Sequence, residues 1–144
     1  MITYLVDASV ACRFLLVEDL SGKAELVLSD FVSGSIELAA PRLIICEVGN
    51  TLRKAVKRNL IEPSVALDKM VFFLKLGIRY VELGREAYVR TLAWSIENDA
   101  TYYDGVYVIC SKETGATLLT ADNTLYEKAK KEVKAVHLKD YHTS

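Results

Sequence analysis

The chain has 144 residues, 51% of them hydrophobic, with 18 basic and 19 acidic side chains and a formal net charge of −1. That length suits a single domain spanning 1–144, able to bury roughly two thirds of its unfolded surface. The charge balance excludes a generally basic nucleic-acid binder, so any such contact needs a local patch.

No run approaches the ~18 apolar residues of a membrane span. Asp7 interrupts the N-terminus before a signal peptide could form, so a soluble cytoplasmic protein is expected. Ile2 to Val6 reads as a short apolar strand that ends on Asp7. Ala8-Ser9 turns the chain into a helix over Val10 to Val17, with Val10, Phe14 and Val17 on one face. Asp7 there has an ordinary use as an N-cap. Ser21 to Val32 predicts a second amphipathic helix closed by Ser33-Gly34-Ser35, and Ile36 to Ala40 a second strand stopped by Pro41. A helix from Leu43 to Arg58 follows. Glu47 stands among its apolar first turns, where a buried unpaired carboxylate would cost several kcal/mol. Glu47 must therefore be protonated, paired or facing a polar cleft.

Pro63 opens a helix carrying Val65, Leu67, Met70, Val71 and Leu74, and Gly77 ends it. Ile78 to Val81 is a third strand, and Glu86 to Glu97 a helix with Tyr88, Leu92 and Trp94. Phe72, Phe73, Leu74 and Leu76 offer more apolar surface than one helix face buries, which predicts dimerisation through these two helices. Asp104 starts the next helix, where Val106, Ile109 and Cys110 recur at helical spacing and Gly115 occupies the left-handed C-terminal position. Ala116 to Thr120 is an apolar run suited to a strand buried on both faces, with Asp122 just beyond it. Leu125 to Lys131 and Val133 to Leu138 read as a last helix and strand. His137 and His142 have no neighbouring ligands, and Cys12, Cys46 and Cys110 lie isolated in apolar runs as small buried hydrophobes.

Five strands alternating with helices predict an α/β fold, a three-layer α/β/α sandwich with a central parallel five-stranded sheet. In such sheets, strand C-termini and the following helix N-termini share the ligand-binding rim. Asp7, Asp104 and Asp122 fall on that rim, with Glu47 as a helix acid beside them. Gathered carboxylates raise one another's proton affinity, and a divalent cation with hard oxygen ligands relieves this. Water made more acidic by such an ion can attack a phosphodiester. Arg53, Lys54, Lys57 and Arg58, with Arg13 and Arg42, are candidates for steering a nucleic-acid backbone, although cations also favour a helix C-terminus and solvent.

Leu-Val-Asp-Ala-Ser at 5–9, Glu47-Val48, Tyr103-Asp104 and Leu119-Thr120-Ala121-Asp122 together resemble the PIN domain family, in particular its VapC-type toxins of toxin–antitoxin pairs. The resemblance covers essentially the whole chain in motif order and spacing. It implies a Mg²⁺- or Mn²⁺-dependent endoribonuclease, a cognate antitoxin and a homodimer. It matches Asp7, Glu47, Asp104 and Asp122 to the acidic metal site, and Ser9 and Thr120 to the hydroxyls around it. Gly105 departs from the family's usual Ala and should loosen the helix start slightly. Asn123 stands where a basic residue is frequent. Alternatives are an RNA-processing nuclease outside a toxin–antitoxin pair, or a silent PIN-fold binding module, in which four costly acids would have no use. A receiver domain would need adjacent acids after strand one and an Asp after strand three. A haloacid-dehalogenase-like phosphatase would need Asp where Ser9 stands.

Overall fold

The computed structural model describes residues 1–143; Ser144, the end of the expected domain, lies outside the described residues. Five parallel strands, β1 (Ile2–Val6), β2 (Ile36–Pro41), β3 (Arg79–Val81), β4 (Thr117–Thr120) and β5 (Ala135–His137), lie in the order β3-β2-β1-β4-β5. Between them run α1 (Ala8–Arg13), α2 (Ser21–Val32), α3 (Leu43–Lys57), α4 (Pro63–Lys75), α5 (Arg85–Glu97), α6 (Tyr102–Thr114) and α7 (Asn123–Ala129). The chain adds β2 and β3 on one side of β1, then returns to add β4 and β5 on the other. Right-handed crossovers therefore put α1 to α4 on one face and α5 to α7 on the opposite face. The contacts agree: α1 packs on α2 and α3, α3 on α4, and α6 lies over β1, β2 and β4 with α5 beside it. This is the expected α/β/α sandwich, and no helix of the described residues is long and apolar enough to cross a membrane.

Register explains why the central strands lack polar alternation. Leu5 of β1 lies between Ala39 of β2 and Leu118 of β4, and all three are fully buried. A strand covered by helices on both faces has no solvent side to mark. Gly115 ends α6 at φ +72°, the left-handed turn that lets the chain re-enter the sheet as β4.

Three expectations are corrected. The first helix spans Ala8–Arg13, not Val10 to Val17. The Arg13 guanidinium donates to the Ser9 carbonyl at 2.7 Å and to the Asp19 carbonyl at 2.8 Å, pulling the chain into a turn. Phe14 and Leu15 bond only three residues back, and Val17 is left in solvent. Second, Cys46 is exposed. Cys12 and Cys110 are buried as expected, and burial pushes their thiols up to about 11 and about 12. Third, Phe73 is fully buried in the core, so the apolar surplus of α4 is Val65, Leu67, Val71, Phe72 and Leu74, with Val89, Leu92 and Ile96 exposed on α5.

Candidate active site

Sheet order reverses between β1 and β4, and a crevice opens at such a switch point beyond the strand C-termini. Asp7 ends β1 there. It is an N-cap: its Oδ1 accepts from the Val10 amide at 3.2 Å. The cap is only part of its environment. Ser9 Oγ donates to Oδ1 and Thr120 Oγ1 to Oδ2, both at 2.6 Å. Ser9 Oγ in turn accepts from the Ala121 amide at 2.8 Å, and Thr120 Oγ1 from the Asp122 amide at 3.0 Å. The two hydroxyls thus lace the end of β1 to the end of β4. Asp7 is only 4% exposed. Burial, and secondarily the Asp122 charge, raises its carboxyl from 3.8 to about 6, against the pull of its three hydrogen bonds.

Asp122 caps α7, accepting from the Leu125 amide at 2.9 Å. Asp104 sits in the first turn of α6, which is capped by Thr101 accepting from the Asp104 amide at 3.1 Å. Partial burial raises the Asp104 carboxyl, and the charges of Asp122 and Glu47 raise it further. Glu47, near the start of α3, accepts the phenol hydrogen of Tyr107 at 2.6 Å across the crevice. The problem of a carboxylate in an apolar helix turn is resolved by pairing and by a cleft. Tyr107 itself is buried, and burial, reinforced by Glu47, holds its phenol far above the ordinary range. Asp7 also raises Tyr107, so all four acids share one electrostatic neighbourhood.

Several side chains here carry no signal in the sequence. Tyr107 is one, because an aromatic at helical spacing reads as core. Lys128 of α7 is another: its ammonium donates to the Asp99 carbonyl at 2.6 Å and opposes the rise at Asp104. Asn123, at the position where a basic residue is frequent in the family, holds His137 instead, with Oδ1 and Nε2 2.8 Å apart. The Lys139 amide donates to His137 Nδ1 at 3.1 Å, which leaves the proton on Nε2 and gives the ring a structural job in β5. Gly105 is not a loose start. A Cβ there would overlap Ser95 Oγ and lie 3.2 Å from the Thr91 carbonyl oxygen, so its bare backbone is what lets α5 press against α6.

The basic candidates are spread over α1, the residue before α3 and the end of α3. Arg53, Lys54, Lys57 and Arg58 are exposed at the C-terminal end of α3. Ten residues of helix separate Lys57 from Glu47, about 15 Å. Arg13 is committed to Asp19 and the Ser9 carbonyl, while Arg42 pairs with Glu82 and lies 5.8 Å over the Tyr80 ring.

Among the described residues the acids do not converge into a ready-made ligand set. Their chemistry nevertheless suits a hard divalent cation: oxygen donors only, charges that raise one another's proton affinity, and a single nearby lysine.

Fold and site together define an α/β/α domain with an acidic crevice at its topological switch point. The PIN domain model matches residues 4–131, and the chain belongs to the PIN domain family. It is 30% identical over 125 residues to Ribonuclease VapC1 of Mycobacterium tuberculosis, covering 83% of this chain and 90% of the relative. PAE2754 from Pyrobaculum aerophilum superposes with a TM-score of 0.73 at 24% identity, over 96% of this chain and 92% of that one. VapBC2 from Rickettsia felis, solved bound to a DNA fragment from its promoter, gives 0.65 at 11% identity, over 94% and 98%. Such structural likeness speaks to the fold.

Proposed function

We propose that this chain is a divalent-metal-dependent endoribonuclease, the toxin member of a toxin–antitoxin pair. One observation carries the reading: in a chain of the PIN family, Asp7, Glu47, Asp104 and Asp122 are close enough for their charges to act on one another or on the shared Tyr107, and among the described residues Lys128 is the cation that offsets the rise at Asp104. The 30% identity to Ribonuclease VapC1 supports RNA as substrate, and the resemblance to VapC-type toxins supports a cognate antitoxin.

Asp7 and Asp104 are assigned to hold Mg²⁺ or Mn²⁺, with Glu47 and Asp122 completing the site. The ion, when bound, supplies positive charge against the phosphate and lowers the pKa of water. The protein's own part is to fix geometry. Ser9 and Thr120 clamp both oxygens of Asp7, Tyr107 fixes one oxygen of Glu47, and the α7 N-cap fixes Asp122. Burial of Asp7 keeps bulk water from screening its charge. The one serine hydroxyl bonded to a site acid, that of Ser9, is engaged in holding Asp7 and accepts from the Ala121 amide, so water rather than a protein group is the nucleophile in this reading. The exposed apolar strip on α4 and α5 is assigned to a homodimer, and the basic end of α3 to the flanking RNA backbone.

The test is cleavage of single-stranded RNA in Mg²⁺ or Mn²⁺, with EDTA and Asp104→Asn as controls. Activity is expected only with metal and only with Asp104 intact. Activity that survives both chelation and the substitution would overturn the reading.

A further inference from the structure

Three tyrosines cluster in the first turns of α6, and two have evident structural work. The Tyr102 hydroxyl donates to the Tyr88 carbonyl at 3.1 Å, and Tyr107 is buried against Glu47. Tyr103 has none: it is 59% exposed, and its hydroxyl makes no hydrogen bond among the described residues. Holding a large aromatic ring in water forgoes the stabilisation that burial would provide. Tyr103 lies next to Asp104 in the chain and lines a cleft of about 370 Å³ with Leu43, Cys46, Glu47 and Asn50. These α3 residues recur three and four apart, so they form one face of that helix. The cleft is therefore continuous with the acid site through Glu47.

We propose that this cleft is a nucleobase subsite, in which an unpaired base of the RNA stacks on Tyr103 and presents its edge to the Asn50 amide. The proposal rests on the ribonuclease reading above. Charge decides between a base and a phosphate as occupant. No cation lines the cleft and Glu47 does, so a phosphate is disfavoured there and a neutral flat ring is not. The volume falls in the range of small-ligand sites. Leu43 offers an apolar flank, and Cys46 is small enough to leave room for a ring. Stacking accepts any base, because each has a π face, whereas an amide with one donor and one acceptor side can discriminate edges. Tyr103 would thus set affinity for single strands, and Asn50 the base preference next to the cut.

Steady-state cleavage of a short single-stranded RNA in Mn²⁺ tests this, with one position at a time made abasic. Tyr103→Ala is expected to raise KM roughly tenfold with kcat little changed, and Tyr103→Phe to restore the low KM because the ring remains. One abasic position should raise KM by the same factor for the unsubstituted protein and add nothing in Tyr103→Ala. Asn50→Ala should flatten the preference among the four bases at that position. A KM for Tyr103→Ala equal to that of the unsubstituted protein, or an abasic penalty that simply adds to it, would overturn the subsite while leaving the nuclease reading intact. If the unsubstituted protein cleaves no RNA in any divalent ion, the nuclease reading fails and the subsite falls with it.

Discussion

The buried carboxyl of Asp7 makes a quantitative demand on the metal-free protein. Burial raises it from 3.8 to about 6. A displacement of that size corresponds to about 3 kcal/mol in favour of the protonated acid. The folded chain then binds this proton more tightly than the unfolded chain does. The stabilising contribution is complete below about 3.8 and is lost as pH rises through about 6. Asp7→Asn removes the charge at similar volume. Its Oδ1 still accepts from Val10 and Ser9, but its amide faces Thr120 Oγ1, which must accept where it now donates. That reversal costs about 1 kcal/mol. The variant is therefore expected to be more stable than the unsubstituted chain at pH 7.5 by about 2 kcal/mol. The gap should shrink, and then reverse, as pH falls below 5. Asp104, which is also raised, titrates in both proteins and largely cancels from the comparison. Urea unfolding in EDTA at several pH values measures the gap, and added Mg²⁺ should stabilise the unsubstituted chain but hardly the variant. A gap independent of pH, or a variant less stable at pH 7.5, would refute the reasoning.

Tyr107→Phe deletes one hydroxyl and leaves the ring in the core. It should keep the fold while weakening Mn²⁺ binding, measured by calorimetry, by a factor on the order of ten, as expected when a ligand loses its outer support. Gly105→Ala should destabilise by about 1–3 kcal/mol in thermal unfolding through overpacking of α5 against α6, and adding Ser95→Gly should recover part of the loss. Phe72→Asp with Leu92→Asp places charge on the exposed strip of α4 and α5, so sedimentation should report half the mass of the unsubstituted protein without loss of fold.

The sequence by itself determined the alternation of strands and helices and the placement of Asp7 and Asp122 at strand ends. It did so because hydrophobic period, capping residues and Gly or Pro punctuation act over a few residues of chain. Parallel pairing then follows from the need for crossovers, and the rim from parallel pairing. The sequence also held the pattern of four acids, since motif order survives without coordinates. What tertiary structure decided lies where partners are remote in the chain. Tyr107 reaches Glu47 across 60 positions and Thr120 reaches Asp7 across 113. No local rule told Cys46 in an apolar run from its buried neighbours, because only the packing of α3 decides which face is covered. Gly105 looked like a weak helix start because the propensity of one residue says nothing of the helix pressed against it. The first helix ends at Arg13, whose guanidinium bonds the carbonyls of Ser9 and Asp19 across the turn that follows, a contact six positions on that apolar spacing does not show. Local free energies name the elements, and long-range contacts set which of their side chains face one another in the crevice.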